Sequence, residues 1–149
     1  MAITERSART IWEGDLKTGE GRVSSGIGTF TDVKMSLPSR IGEANGYSSP
    51  EDMLAAAHSG CLAMNLSGTL ANNGTPADSL DVNAVVGVGP KDGGGLEVKH
   101  SHVTVSGKVP GLSEDDFRKL VEKAEQTCPI SNALRGNLEI TVEITSFEG

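Results

Sequence analysis

The sequence predicts an α+β fold in which largely antiparallel sheets pack around a long, buried central helix. Segments that alternate between polar and apolar residues occur near both ends and in the second half of the chain, as in β-strands. One alanine-rich segment is apolar on nearly every side, which is typical of a buried helix. The strand and helix patterns are grouped rather than strictly alternating, which favours antiparallel pairing.

The first predicted element is a β-hairpin. Arg9–Glu13 and Gly21–Ser25 have the pattern of short strands, and they flank a turn at Asp15–Gly19. A polar, glycine-containing connection is expected to follow from Ser36 to Ser49.

The long central helix has clear start and stop signals. Ser49–Asp52 combines a capping serine, a proline suited to the first helical position and two acids that face the positive end of the helix dipole. The helix should end near Asn72, because Asn73-Gly74 supplies a left-handed stop. Pro76 then prevents the helix from resuming.

Two further strands are predicted after this helix. Leu80–Val86 and Leu96–Val109 both alternate between polar and apolar residues. The glycine-rich segment Pro90–Gly95 lies between them and reads as a loose hairpin loop.

A second helix and a closing strand complete the predicted fold. Ser113 opens an amphipathic helix that should end near Thr127, because Pro129 biases the preceding Cys128 away from helical backbone angles. Cys128 is expected at a junction between two helices, with the second helix starting at Pro129. A short turn and a strand at Leu138–Ile144 should follow. With no internal repeat or linker, residues 1–149 are expected to form a single domain.

The amino-acid composition indicates which classes of macromolecule the chain could bind. Only 36% of the 149 residues are hydrophobic, with one Trp, one Tyr and three Phe, so the core is lean and burial against a second copy is favoured. Thirteen Lys and Arg against twenty Asp and Glu give a net charge of −7. The positive charges are too scattered to neutralise a row of phosphates, and there are too few aromatic residues to stack on bases. No nucleic-acid partner is therefore expected.

Neither membrane insertion nor secretion is expected. No apolar run reaches the roughly 18 residues that a transmembrane helix needs. Met1–Arg6 contains no apolar core of a secretory signal, so the expected location is the cytoplasm. In that reducing compartment, a pair of cysteines is more often catalytic, redox-sensing or inert than joined in a permanent disulfide.

Cys61 and Cys128 are the two sulfurs on which the chemistry depends. They lie 67 residues apart in the sequence and could form a disulfide only if their Cα atoms came within about 7 Å. If they meet, one thiolate could attack a peroxide and become a sulfenic acid, and the other could condense with it to a disulfide that an external dithiol reduces. The residues alone leave the two roles undecided, and two inert buried thiols remain an alternative.

The three histidines are not expected to form a site. His58 lies three residues before Cys61 and should pack against the sheet. His100 and His102 share one face of a predicted strand and could bind a metal as a pair. A zinc site usually needs four protein ligands, or three and a water molecule, and the sequence positions no further ligand. These two histidines are therefore expected to be partly exposed strand residues.

Several segments of the chain resemble the signature stretches of one family. They are Trp12–Asp15, Arg40, Ser49–Cys61 and Cys128–Leu134. In these segments, and in their order over nearly the whole chain, the sequence resembles the OsmC/Ohr family, the osmotically inducible and organic hydroperoxide resistance proteins. Trp12–Asp15 and Arg40 resemble the OsmC branch, which is favoured, whereas Arg135–Asn137 is more similar to the Ohr branch.

The resemblance implies a thiol peroxidase that reduces organic hydroperoxides and, less readily, hydrogen peroxide. It implies that Cys61 is the peroxidatic thiol and Cys128 the resolving thiol, which form a redox-active disulfide. It further implies that Arg40 keeps Cys61 ionised and that Glu51 orients Arg40. The family's active form is an intertwined homodimer with two sites at its interface and no metal or organic cofactor, and a dithiol is the expected reductant.

The spacing of these residues favours a site shared between subunits. Glu51 and Cys61 are ten residues apart on one predicted helix, or about 15 Å along its axis. We therefore expect each site to take Arg40 and Glu51 from one subunit and both cysteines from the other. Without the resemblance, Glu51 would be an ordinary helix-start acid and Arg40 a solvated loop charge. Two rival functions stay open: a redox-sensing or small-ligand-binding dimer without catalysis, and a structural dimer with inert thiols.

Overall fold

The computed structural model describes residues 1–149, which form a mixed α+β fold with two three-stranded sheets and one long helix. The elements in chain order are β1 (Ala8–Glu13), β2 (Glu20–Ser25), β3 (Val33–Met35), α1 (Leu37–Ile41), α2 (Pro50–Asn72), β4 (Ser79–Pro90), β5 (Leu96–Lys108), α3 (Glu114–Thr127), α4 (Pro129–Leu134) and β6 (Glu139–Glu148). The chain divides into two compact units, Met1–Met53 and Leu54–Gly149. The single domain therefore stays a prediction, and each unit is described by itself.

The first unit contains an antiparallel sheet in the order β1-β2-β3. The hairpin of β1 and β2 confirms the sequence prediction. The strand β3 was not predicted, and the expected connection after Ser36 contains the short helix α1, whose start is capped by the Ser36 hydroxyl accepting from the N–H of Ser39. Val23 is the only buried apolar side chain of this sheet, whereas Ile11 and Trp12 are exposed.

Helix α2 begins and ends at the predicted residues. The hydroxyl of Ser49 accepts the N–H of Asp52 at 3.1 Å, which is an N-cap, and Gly74 adopts a left-handed φ of 81° after the last turn. Neither this helix nor any other is both long and apolar enough to cross a membrane.

The sequence predicts that α2 is buried on nearly every side. In the single chain, only one face of the helix is buried. The fully buried residues of α2 are His58, Leu62, Leu66 and Leu70. The opposite face is solvent-exposed and made mostly of small residues, namely Ala56, Ala57, Gly60, Met64, Ser67, Gly68 and Ala71. The exposed fraction of Met64 reaches 73%. Since Gly60 and Gly68 have no neighbouring atoms within 4 Å of an added Cβ, this face is open in the single chain.

The second unit contains the sheet β4-β5-β6 and the main core. β4 and β5 form the predicted antiparallel hairpin, and β6 pairs parallel to β5, so the pairing is largely but not wholly antiparallel. The reason is that α3 and α4 lie between β5 and β6 and carry the chain back to the end from which β5 starts. The core joins α2, α3 and this sheet through Leu62, Leu66, Leu70, Val103, Val105, Val109, Phe117, Val121, Ala124 and Cys128.

Helix α3 has the predicted bounds, and the helix expected after Cys128 is α4. The Ser113 hydroxyl accepts the N–H of Asp116 at the start of α3, and the helix ends at Thr127. Pro129 is then the first residue of α4, a position that needs no free N–H. The side-chain amide of Asn65 on α2 donates to the carbonyl of Ala124 at 2.7 Å, which satisfies a carbonyl that the last turn of α3 leaves unpaired.

Candidate functional site

The two cysteine sulfurs lie in contact in the second unit. Cys61 is on the middle of α2 and is partly buried, and Cys128 is fully buried between α3 and α4. The thiol of Cys128 donates to the sulfur of Cys61 at an Sγ–Sγ distance of 3.4 Å. Both cysteines are free thiols in this structure. Two sulfurs in contact can form a disulfide after only a small further approach.

The position of Cys128 follows from the residue after it. Pro129 disfavours helical backbone angles in the preceding residue, and Cys128 adopts φ −69° and ψ 119°. Cys128 therefore ends α3 and begins α4 at the same time. Its N–H donates to the carbonyl of Glu125, and its carbonyl accepts from the N–H of Asn132. The corner is thus fixed by backbone hydrogen bonds on both sides of the buried sulfur.

The surroundings of Cys61 favour the protonated thiol. Burial raises the pKa of Cys61 above the ordinary value of 9.0, and the contact with Cys128 raises it further. The backbone N–H of Ile130 donates to the Cys61 sulfur and lowers this pKa, but it does not reverse the shift. Fast attack on a peroxide requires the thiolate, so Cys61 needs a further stabilising charge to react rapidly near neutral pH.

His58 lies one turn before Cys61 on α2 and is fully buried. Its Nδ1 is 2.7 Å from the hydroxyl of Ser101 on β5, and its Nε2 is 2.8 Å from the hydroxyl of Ser131 on α4. A neutral imidazole donates from one nitrogen and accepts at the other, and each serine hydroxyl can take either role. Burial lowers the pKa of His58 below 6.5, although the nearby carboxylate of Glu125 partly opposes this shift.

An ion pair lies at the C-terminal end of α4. The Arg135 guanidinium donates to the carboxylate of Glu125 at 2.7 Å and to its backbone carbonyl at 3.4 Å. Glu125 lies on the last turn of α3 and is mostly buried, whereas the Arg135 side chain is 42% exposed. The pair therefore links the end of α3 to the end of α4 across the Cys128 corner.

The first unit contains a second pair of predicted site residues. Arg40 lies on the last turn of α1 and Glu51 on the first turn of α2. The guanidinium contacts both carboxylate oxygens, with Nη2–Oε1 at 2.7 Å and Nε–Oε2 at 3.1 Å. This hydrogen bonding raises the pKa of Arg40. Only 8% of the Glu51 side chain is exposed, so its charge depends on Arg40 for compensation.

An apolar cavity adjoins this ion pair. It has a volume of about 240 Å³ and is lined by Trp12, Leu16, Met35, Leu37 and Arg40 among others. Apart from the guanidinium, these named side chains are apolar or aromatic. The cavity can therefore accept a small apolar group beside a fixed positive charge.

His100 and His102 are partly exposed, as predicted, and their rings stack with centroids 4.0 Å apart. The Nδ1 of His102 lies 2.5 Å from the hydroxyl of Thr141. No group of three or more histidine, cysteine, aspartate and glutamate residues is arranged to hold a metal ion.

The structure brings together residues that sequence reasoning had paired, and it adds others. Cys61 contacts Cys128, and Arg40 contacts Glu51, while the catalytic role of each residue stays a prediction. The expectation that His58 packs against the sheet is met through Ser101, but its contact with Ser131 was not foreseen. The only signal for it in the sequence is that His58 and Ser131 each lie three residues from a cysteine. The Glu125–Arg135 pair had no such signal.

Comparison with known proteins gives a consistent result. A family model described as OsmC-like protein matches residues 42–143. The chain is 30% identical over 141 residues to Peroxiredoxin OsmC of Escherichia coli, which covers 95% of this chain and 97% of that protein. It is 32% identical over 146 residues to an organic hydroperoxide resistance protein of Xanthomonas axonopodis pv. citri, which covers 97% and 99%. A crystal structure of an organic hydroperoxide resistance protein from Elizabethkingia anophelis superposes with a TM-score of 0.74 at 27% identity, covering 97% and 98%.

The burial of neutral His58 predicts a loss of stability in mild acid. Because its pKa is lowered in the folded state, the unfolded state takes up the proton first as the pH falls below about 6.5. The free energy of unfolding should therefore fall between pH 7.5 and pH 5, and part of this fall should disappear in His58→Gln, which cannot titrate. Urea unfolding at fixed protein concentration measures the difference.

The control for this experiment is His100→Gln, which removes a partly exposed imidazole and keeps His58. It should retain the loss of stability in mild acid that His58 causes. An unchanged pH dependence in His58→Gln would contradict the assignment of a neutral, buried imidazole.

Proposed function

The chain belongs to the OsmC-like protein family, and on this premise we propose that it is a cysteine-dependent peroxidase that reduces organic hydroperoxides, and hydrogen peroxide less readily. The names of two relatives, a peroxiredoxin and an organic hydroperoxide resistance protein, support the reaction class. The observation that carries the proposal is the 3.4 Å contact between the sulfurs of Cys61 and Cys128. A peroxide-reducing dithiol requires that its two sulfurs can reach each other within one catalytic cycle.

The proposed cycle has three steps. The Cys61 thiolate attacks one oxygen of the hydroperoxide, the O–O bond breaks, and the leaving alkoxide takes a proton to give an alcohol and a Cys61 sulfenic acid. The sulfur of Cys128 then attacks the Cys61 sulfur, which releases water and forms the Cys61–Cys128 disulfide. An external dithiol reduces this disulfide by exchange and becomes a disulfide itself.

The role proposed for Arg40 follows from the pKa of Cys61. Burial and Cys128 raise that pKa, so a positive charge is needed to favour the thiolate. Arg40 carries such a charge in a fixed orientation, because both oxygens of the mostly buried Glu51 hold its guanidinium. We assign Arg40 as the cation that activates Cys61 and Glu51 as the residue that orients Arg40.

We place these two pairs together through a homodimer, in which Arg40 and Glu51 come from one subunit and both cysteines from the other. Two exposed surfaces of the single chain support a second copy as the partner. The sheet of the first unit leaves Ile11 and Trp12 exposed and buries only Val23 among its apolar side chains. The small-residue face of α2, with Met64 at its centre, is also open. A monomer rarely leaves such apolar surfaces uncovered.

The preferred substrate is proposed to carry an apolar group. The cavity of about 240 Å³ beside Arg40 is mostly lined by side chains such as Trp12, Leu16 and Leu37. An alkyl or aryl tail gains free energy by leaving water for such a cavity, whereas hydrogen peroxide has no tail to bury. We propose a small dithiol as the reductant and the cytoplasm as the site of action.

The proposed function predicts that peroxide turnover depends on Cys61. Consumption of cumene hydroperoxide with dithiothreitol should fall by roughly three orders of magnitude or more in Cys61→Ser, because a serine hydroxyl is not ionised near neutral pH. One equivalent of peroxide, added without reductant, should remove both free thiols of a wild-type chain.

The matched variant is Cys128→Ser, the same substitution at the other sulfur. It should be oxidised once and accumulate a sulfenic acid that reacts with dimedone. A wild-type chain that loses one thiol and does not turn over would be a redox sensor, and equal rates in wild type and Cys61→Ser would indicate inert thiols.

The shared site predicts complementation between two inactive chains. Glu51→Ala and Cys61→Ser chains, unfolded together and refolded in equal amounts, should recover about a quarter of the wild-type activity. Half of the dimers are then mixed, and each mixed dimer has one intact site. Peroxide consumption measures the recovery, and native mass spectrometry counts the mixed dimers.

The control is a mixture of Glu51→Ala with Arg40→Ala. Both changes affect the same half of the site, so no mixed dimer regains an intact one. If mixed dimers of Glu51→Ala and Cys61→Ser form but remain inactive, the cysteines and the ion pair do not act across subunits.

The proposed role of Arg40 predicts a shifted pH profile. Without the guanidinium, Cys61 should titrate above pH 9, as its burial dictates, so the reaction rate of Arg40→Ala should keep rising with pH through 9. The wild-type rate should level off at lower pH. At pH 7.4 we expect Arg40→Ala to react about 10- to 100-fold more slowly, which corresponds to a pKa difference of about one to two units.

Stopped-flow measurement of the first oxidation step gives this profile. Arg22→Ala is the control, because it removes an exposed guanidinium of the same unit that pairs with Glu20. Parallel profiles for wild type and Arg40→Ala would exclude Arg40 as the activating cation.

A further inference from the structure

Two contacts with the same residue spacing join α2 to the segment that runs from Cys128, the N-cap of α4, to Ser131 within it. His58 on α2 contacts Ser131 on α4, and three residues further along α2 Cys61 contacts Cys128, three residues earlier in the chain than Ser131. The first contact is a buried hydrogen bond of 2.8 Å, and the second is the sulfur pair at 3.4 Å. A movement of α4 away from α2 would therefore stretch both contacts together.

α4 depends on tertiary contacts for its position. It has six residues, and isolated helices shorter than about 12 residues are marginal in water. Its buried side-chain anchor is the hydrogen bond between Ser131 and His58, and the N–H of Ile130 also donates to the Cys61 sulfur. At the C-cap of the helix, Arg135 forms an ion pair with Glu125. The ion pair is partly exposed at Arg135, so water competes with it, whereas both groups of the hydrogen bond are fully buried.

The imidazole of His58 is itself held in place. Its other ring nitrogen contacts Ser101 on β5, which is also fully buried. The ring is thereby oriented by the sheet on one side and reaches α4 on the other. If α4 moved, a ring nitrogen of His58 and the hydroxyl of Ser131, both fully buried, would lose their partner, which is unfavourable.

We propose that His58 and Ser131 are positioning residues that hold Cys128 within bonding reach of Cys61, and that they act through α4 rather than by contact with a substrate. Ile130 lies on the same segment and donates its N–H to the Cys61 sulfur, so the same hydrogen bond also keeps this donor in place. The inference rests on the proposed function for its place in peroxide reduction, but the closing of the disulfide can be measured without peroxide.

The measurable quantity is the effective concentration of one thiol toward the other. Oxidised glutathione converts the two thiols of the chain into the Cys61–Cys128 disulfide and is itself reduced to two molecules of glutathione. No other oxidant is needed. The equilibrium constant of this exchange is larger when the folded chain holds the two sulfurs close together.

The experiment equilibrates the full chain in glutathione buffers of stated ratio, blocks free thiols and measures the disulfide fraction by mass spectrometry. Ser131→Ala should lower the effective concentration roughly three- to tenfold, the range that the loss of one buried hydrogen bond gives. Ser131→Thr, which keeps a hydroxyl, should restore most of it. In peroxide-treated chains, the Cys61 sulfenic acid of Ser131→Ala should persist longer and react more with dimedone.

The control is Ser113→Ala. It removes the hydroxyl that caps the start of α3, and this hydroxyl contacts neither His58 nor α4. We expect a loss in urea stability and less than a twofold change in effective concentration. Equal effects of Ser113→Ala and Ser131→Ala on the effective concentration, or no effect of Ser131→Ala, would overturn the proposal and leave His58 a merely structural residue.

Failure of the positioning role and failure of the proposed peroxidase function give different results. A wild-type chain that closes the disulfide in glutathione but does not consume hydroperoxide would refute the peroxidase and still allow the variants to test the positioning role. A wild-type chain that forms no disulfide at any glutathione ratio would refute both.

Discussion

The backbone corner at Cys128 is the constraint on which the candidate site depends. Pro129 keeps Cys128 out of the helical region, so α3 stops and α4 starts at the same residue. The sulfur at this corner is fully buried and lies 3.4 Å from that of Cys61. The links of α3 and α4 to their surroundings, through Asn65, Ser131 and Arg135, fix where this corner lies relative to α2.

The buried sulfur pair is suited to forming a disulfide but not to the first attack. The same burial that holds the two sulfurs together raises the pKa of Cys61. The first unit contains a fixed positive charge, because Glu51 holds the guanidinium of Arg40. The homodimer that we propose would bring this charge of one subunit to the Cys61 sulfur of the other and would cover the exposed surfaces of both.

The elements predicted correctly from the sequence are those that local signals specify. α2 begins after a capping serine and ends before a left-handed glycine, and the first hairpin and the start of α3 have similar signals. β3 and α1 were missed because they have three and five residues, too few for a periodic pattern. The parallel direction of β6 was not predicted, because alternation specifies which face of a strand is buried and not its direction.

The sequence by itself singled out the two cysteines, and the resemblance of its motifs to those of the OsmC/Ohr family added Arg40 and Glu51. Only the tertiary structure decided that the two sulfurs touch, and that His58 joins Ser101 and Ser131. These partners lie 67, 43 and 73 positions apart. Contacts at such separations depend on how whole elements pack, because burial is a property of the assembled core, whereas helix caps and turns are determined by residues a few positions away.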